Sequence, residues 1–206
     1  FFEYSAGLYS NQHLQMAQMR EWVCATKAIL DHFAGEGPFD FRGTWTTHTL
    51  MTPNFNPGPN PYGKVPVLVG ALGPKMTEMA AEVADGLLVM PFNSQRHFVE
   101  RTMPAIERGF VKSGRQRSDF EIIVEVICAV GESSEEIATA MSGVKTLIGF
   151  YGSTPSYRPV LEVLGRGDLQ VELNALSKQG DWAGMASKID EDLLRTIAVV
   201  GTPSEV

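Results

Sequence analysis

Four turns in this sequence lead from an apolar run into a helical pattern, and each could hold a ligand. The first reads Gly70-Ala71-Leu72-Gly73-Pro74-Lys75. Its two glycines let a ligand come close to the backbone. The N–H groups of the turn and the positive end of the following helix favour an anion. Pro74 at the helix start costs no hydrogen bond, because that N–H is unpaired anyway. Phosphate binding is the chemistry such a turn serves, and a tight strand-to-helix turn without a ligand is the alternative. The spacing is neither a Walker A motif nor a GxGxxG fingerprint, so ATP and NAD sites of those kinds lose support.

The second turn, Met90-Pro91-Phe92-Asn93-Ser94, offers an apolar wall and one amide at a strand end. Packing plus a helix N-cap is its bland reading. The third, Val130-Gly131-Glu132-Ser133, is explained by a capping box of Ser133 with Glu136. The fourth, Gly201-Thr202-Pro203, is another anion-friendly helix start, with Thr202 and Glu205 as a capping box and Pro203 at the first helical position.

Other chemistry-bearing residues are dispersed. His13, His32, His48 and His97 show no metal-ligand spacing with another His, Cys or carboxylate, so no metal site is expected. His32 and His97 fall in helical patterns, and His48 in a β-rich stretch. Glu125 stands mid-strand among Ile and Val, facing either a barrel lumen or solvent. Arg158 reads as a surface arginine. Cys24 and Cys128 lie among apolar neighbours and read as buried small hydrophobes. No serine nucleophile elbow, Cys–His pair or carboxylate dyad can be assigned, so the catalytic residues stay unknown.

Alternating elements must position these turns. A helix is expected over about 14–33, with Met16, Met19, Trp22, Val23, Leu30 and Phe33 on one face and Ser10 or Asn11 as its cap. Residues 40–50 read as a short hairpin or extended loop, and the prolines and asparagines of 51–64 as an irregular connection. Strands are expected at 65–69, 87–90, 120–130 and 197–200. Helices follow at 74–84, 95–113 and 133–150. Residues 153–196 read as helical pieces broken at Pro155, Pro159, Gly165, Gly167 and Gly180. Such alternation means parallel strands with crossover helices. A doubly wound sheet and half of a (β/α)₈ barrel both fit.

Composition narrows the function classes. The chain has 206 residues, 44 % hydrophobic and 20 % charged, which is ordinary globular usage. Its net charge of −7 leaves no domain-wide basic surface, so nucleic acid is not expected as a partner. No run of about 18 apolar residues and no signal-peptide pattern are present, so neither a membrane span nor secretion is expected, and a cytoplasmic location fits the sparse cysteines. The chain opens at Phe1 without Met and stops where a helix is starting, which reads as an internal piece of a longer protein.

The segment Val65-Pro66-Val67-Leu68-Val69-Gly70-Ala71-Leu72-Gly73-Pro74-Lys75-Met76, followed by Ala84-Asp85-Gly86 and Leu87-Leu88-Val89-Met90-Pro91-Phe92-Asn93-Ser94, resembles the luciferase-like monooxygenase superfamily. It is most similar to the coenzyme F420-dependent oxidoreductases of that superfamily. Ile148–Tyr157, Gly180-Asp181-Trp182 and Val199–Pro203 carry the same likeness, which covers about residues 13–206.

The resemblance implies an α/β fold, a (β/α)₈ TIM barrel of which residues 1–206 form a partial domain. About four parallel strands with their helices would be present and the N-terminal strands missing. It implies an oxidoreductase that moves a hydride between coenzyme F420 and a small organic substrate, the fragment being inactive alone. An FMN-dependent monooxygenase is the alternative, and a non-catalytic flavin-binding or interaction protein a third reading. Gly70, Ala71, Leu72 and Gly73 would meet the cofactor phosphate, and Met90 and Asn93 would face the substrate. The absence of a basic residue in Met90–Asn93 argues against a phosphorylated sugar. The family's acid/base residues lie mostly on the missing strands. A small-molecule substrate is the expected partner, and a homodimer stays open for the full-length protein.

Overall fold

The first long helix, α1 (Met16–Phe33), ends where Gly35 takes a left-handed φ of 79°, a conformation that costs glycine little. The computed structural model describes residues 16–206. The expected caps Ser10 and Asn11, and His13, lie outside the described residues. Val23 and Ala25 are the buried positions of α1, while Trp22, expected on the inner face, is 40 % exposed.

The hairpin at 40–50 forms as β1 (Phe41–Arg42) and β2 (Thr47–His48), antiparallel with Phe41 opposite His48. The connection that follows contains one 3₁₀ turn, Pro53–Phe55. Then come β3 (Leu68–Ala71), α2 (Pro74–Val83) and β4 (Gly86–Val89). A helical run follows as α3 (Gln95–His97), a π turn (Phe98–Thr102) and α4 (Met103–Ser113). The π turn has a cause in the sequence. Pro104 has no N–H and its ring crowds the carbonyl four residues back, and the Met103 N–H bonds Phe98 O instead.

The single strand expected over 120–130 is two. β5 (Glu121–Val124) and β6 (Ile127–Val130) are separated at Glu125 and Val126, and they belong to different sheets. An unbroken apolar run marks strand character without marking where pairing changes. Glu125 is exposed in that break. β3, β4 and β5 form one sheet in that order. β6 pairs in parallel with the last strand, β7 (Ala198–Gly201), with Cys128 opposite Val199.

Between β6 and β7 lie α5 (Ser134–Gly152), α6 (Arg158–Glu162), α7 (Gly167–Gln179), α8 (Trp182–Ser187) and α9 (Glu191–Ile197). The Ser133–Glu136 capping box opens α5 as expected. Two expected breakers are helix openers instead. Pro159 sits in the first turn of α6, where its missing N–H is harmless, and Gly167 begins α7. Gly165 and Gly180 do end helical pieces, with φ of 74° and 72°. At the chain's end Glu205 accepts the Thr202 N–H at 2.9 Å, but residues 203–205 form a turn.

The chain divides into two units. The first runs to Val69 and takes in Lys75–Leu87 and Ala105–Ile122; the second holds Gly70–Pro74, Leu88–Pro104 and Ile123–Val206. In the first, Val23, Met79, Ala80, Ala81, Leu87, Ala105 and Ile106 are buried. The core of the second joins Phe92, Ile148, Leu161, Leu173, Met185 and Leu194. Cys128 corrects an expectation. β6 alternates, with Ile127 and Ala129 buried and Cys128 exposed, so apolar neighbours in sequence put it on the opposite face. Cys24 is half-buried. Among the described residues no helix is long and apolar enough to cross a membrane.

Candidate functional site

Gly70–Pro74 and the other three strand-to-helix turns lie in the second unit, while Lys75 belongs to the first. β3 extends to Ala71, so Gly70 and Ala71 are its last residues and the bend falls on Leu72 and Gly73 before α2 begins at Pro74. Gly70 and Gly73 are exposed and have no positive φ. A Cβ built on either would meet nothing within 4 Å. Neither backbone geometry nor protein packing therefore demands glycine at these two positions. What glycine provides there is open space over the backbone. The first turn of α2 carries no acidic residue to repel an anion. These features fit a phosphate-bearing cofactor.

Gly86 and Gly109 show the opposite case, both in the first unit. A Cβ on Gly86 would stand 2.7 Å from Glu121 O, and one on Gly109 would stand 2.6 Å from Ala81 Cβ. Those glycines serve packing.

Leu72 and Met90 pack against the same core cluster, so the Gly70–Gly73 and Met90–Asn93 turns converge on one hydrophobic body. Phe92 is its anchor at the end of β4. It is fully buried, with its ring centroid 6.0 Å from Tyr151 and 6.2 Å from Tyr157. Burial raises the Tyr157 phenol above its ordinary pKa, and Tyr151 adds to that. The Tyr157 phenol therefore stays protonated at neutral pH.

Asn93 sits at the mouth of the β4 turn. Its Oδ1 accepts the Ser94 N–H at 2.8 Å and lies 2.9 Å from His97 Nδ1. Ser94 is the N-cap of α3, accepting the His97 N–H at 3.1 Å. His97 is 2 % exposed, and burial lowers its pKa, with the charge of Arg101 acting the same way. Asn93 Nδ2 is shielded from solvent and has no hydrogen-bond partner. An orphaned buried donor costs about 1–3 kcal/mol, so one at a strand's C-terminal end requires a reason. The sequence places His97 in a helical pattern but gives it no role in a site. The signal was present: a histidine four residues after Asn93 and three after a capping serine shares their helical face.

The remaining expected residues are structural. His48 stacks obliquely on Phe41 at 6.3 Å across the hairpin, and His32 Nδ1 lies 3.1 Å from Gly37 O. Arg158 pairs with Glu162 at 2.7 Å on α6. The Gly131 N–H reaches Gly201 O at 3.4 Å, joining the ends of β6 and β7. One shallow concavity lies along Ser133–Ala140 and another along Asp85 and Arg117–Ile122; neither contains a residue of the Gly70–Gly73 or Met90–Asn93 turns. No three His, Cys, Asp or Glu side chains gather around a metal-sized point among the described residues.

Comparisons with known proteins place the chain among relatives of known fold and family. A relative from Mycobacterium tuberculosis (strain ATCC 25618 / H37Rv), an uncharacterized protein, is 46 % identical over 184 residues, covering 89 % of this chain and 54 % of its own. The 5,10-methylenetetrahydromethanopterin reductase of Archaeoglobus fulgidus is 28 % identical, covering 70 % of this chain and 43 % of its own. The chain thus spans about half the length of the curated relatives it matches. Among solved structures, the coenzyme F420-dependent tetrahydromethanopterin reductase of Methanopyrus kandleri superposes with a TM-score of 0.69 at 22 % identity, over 93 % of this chain and 52 % of that one. That likeness shows a shared α/β fold. The luciferase-like monooxygenase family model matches residues 5–206, and the chain belongs to that family.

Proposed function

We propose that the full-length protein is an oxidoreductase that exchanges a hydride between coenzyme F420 and a small organic substrate. The observation that carries this reading is the pair Gly70 and Gly73, which leave open space beside the acid-free start of α2 in a chain of this family. Named relatives support F420 over FMN: the solved coenzyme F420-dependent tetrahydromethanopterin reductase and an F420-dependent glucose-6-phosphate dehydrogenase. The last of these is similar over only 66 residues, 32 % of this chain.

In this reading Gly70, Ala71, Leu72 and Gly73 bind the cofactor phosphate. The N–H groups of the bend donate to it. The deazaflavin supplies the hydride chemistry when bound. Phe92 and its tyrosine neighbours give the Met90–Asn93 turn a rigid apolar backing, which excludes water from the reacting face. Met90 and Asn93 face the substrate. The fold is the later half of a (β/α)₈ barrel. The exposed side chains of Cys128, Val130 and Val199 support this, since they lie on the strand face opposite the helices, which the interior of a closed barrel would cover.

The test is fluorescence titration of the full-length protein with F420 and, separately, FMN. Saturable F420 binding that FMN does not compete away is expected. Binding of FMN alone would assign the protein to flavin chemistry instead.

A further inference from the structure

We propose that His97 is a positioning residue. It holds the Asn93 amide so that Nδ2 donates to a neutral acceptor on the substrate, a carbonyl or hydroxyl oxygen. The identity of that acceptor as substrate rests on the oxidoreductase reading above; the hydrogen-bond geometry does not.

The orientation of Asn93 follows from its neighbours. Ser94 N–H can only donate, and it points at Asn93 Oδ1 from 2.8 Å. The oxygen must therefore face it. His97 Nδ1, 2.9 Å from the same oxygen, must then carry the imidazole proton. A flipped amide would set Nδ2 against the Ser94 N–H, which can only donate. His97 is fixed in turn, because its own N–H bonds Ser94 Oγ at 3.1 Å and its ring is buried. Two donors thus occupy Oδ1, and Nδ2 is left as a buried donor with no acceptor.

Charge decides what acceptor suits it. Met90, Pro91, Phe92, Asn93 and Ser94 carry no charge. The nearby Arg96 is engaged by Glu100 at 2.8 Å, and Arg101 is exposed. Burial opposes a charged His97. An anion would arrive without a buried cation to meet it, whereas a ketone, aldehyde or alcohol oxygen needs only the one donor.

The experiment uses full-length protein labelled with ¹⁵N-asparagine, following the Asn93 side-chain NH₂ signal, assigned by its loss in Asn93→Ser. Acetone and cyclohexanone serve as carbonyl probes and inorganic phosphate as the anionic one. His97→Asn keeps a donor where Nδ1 stands, and His97→Leu removes it. The ketones should shift the Asn93 signal in wild type and His97→Asn. Half-saturation in His97→Leu should need roughly tenfold more ketone, the loss of one hydrogen bond's worth of orientation. Phosphate should leave the signal in place.

An unchanged ketone response in His97→Leu overturns the proposal. So does a shift with phosphate alone, or a signal no ketone moves because a trapped water holds Nδ2. Should His97→Leu fail to fold, the imidazole ¹⁵N spectrum of the wild type decides: a proton on Nδ1 is expected, and one on Nε2 alone overturns the assignment. F420 titration of the same samples separates the two readings. Ketone-dependent shifts in a protein that does not bind F420 refute the cofactor and leave the His97–Asn93 pair standing.

Discussion

Asp85 and Val67 hold each other through two hydrogen bonds: the Asp85 carboxylate accepts the Val67 N–H at 2.9 Å, and the Asp85 N–H donates to Val67 O at 2.8 Å. Lys27 Nζ stands 2.5 Å from the same carboxylate and Arg115 3.8 Å from it. The Ala84-Asp85-Gly86 segment, which carries part of the family likeness, is thus a brace for the approach to β3.

Burial pushes the Asp85 carboxyl up in pKa, but the hydrogen bonds from Lys27 and Val67 and the charges of Lys27 and Arg115 outweigh it, and its pKa lies below the ordinary value. A carboxyl depressed on folding stabilises above its unfolded pKa, and that stability is lost as pH falls through its folded pKa. Asp85→Asn should therefore cost about 1–3 kcal/mol at neutral pH. The difference from wild type should shrink below about pH 4. Urea unfolding of the full-length protein at several pH values checks this, and a pH-independent difference would count against the brace.

The glycines divide into two kinds, and a matched pair of alanine substitutions separates them. Gly86→Ala forces a methyl against Glu121 O and Leu68, and Gly109→Ala forces one against Ala81. Each should destabilise by about 1–3 kcal/mol through overpacking. Gly73→Ala meets nothing within 4 Å and should stay within about 0.5 kcal/mol of wild type. Thermal melts of the three variants give the order; a Gly73→Ala loss as large as the others would mean that the open space is filled.

Much of the fold was legible because apolar runs and capping residues report local structure. Pro74, Ser133 and the 41–48 hairpin fall where their chemistry puts them. What stayed hidden depends on partners distant in sequence. The break at Glu125 reflects a change of sheet, and Cys128 is exposed by strand alternation that its neighbours' hydrophobicity masks. The site divides the same way. Gly70 and Gly73 announce themselves by type, whereas His97 becomes meaningful only once Asn93 Oδ1 is seen to have two donors.

Glu21 illustrates a contact that no motif announces. Its carboxylate accepts the N–H groups of Thr44, Trp45 and Thr46 at 2.6, 2.8 and 2.7 Å, closing the turn between β1 and β2. Burial acts to raise its pKa, and those three N–H groups with the Thr46 hydroxyl lower it below the ordinary value. Protection of the three amides should be present at neutral pH and lost as pH falls through the lowered pKa. Glu21→Gln should raise their hydrogen-exchange rates at neutral pH. Gly43→Ala should do the same, because a Cβ there would collide with that carboxylate. Exchange that is unchanged in both variants, after correction for intrinsic rates, would show that α1 does not secure the hairpin.

The last expectation concerns Gly73. It is exposed, adopts an ordinary φ, and faces open space where β3 hands over to α2. Gly73→Asp would place a carboxylate in that space, beside the N–H groups proposed to meet the cofactor phosphate. The substituted carboxylate would also compete for those donors, as acids do at helix starts. Losing one charge-assisted hydrogen bond costs roughly 1.5–3 kcal/mol, and repulsion of a dianion adds to it. F420 affinity should fall at least about tenfold, since about 1.4 kcal/mol is a factor of ten. Lys75→Ala should matter less, because Lys75 is exposed and lies beyond the bend. Fluorescence titration of the full-length variants measures both effects, with circular dichroism confirming the fold. A folded Gly73→Asp protein that binds F420 as wild type does would remove this turn from the cofactor site. The Asn93–His97 geometry would be untouched by that result, since none of its hydrogen bonds involves the β3 turn.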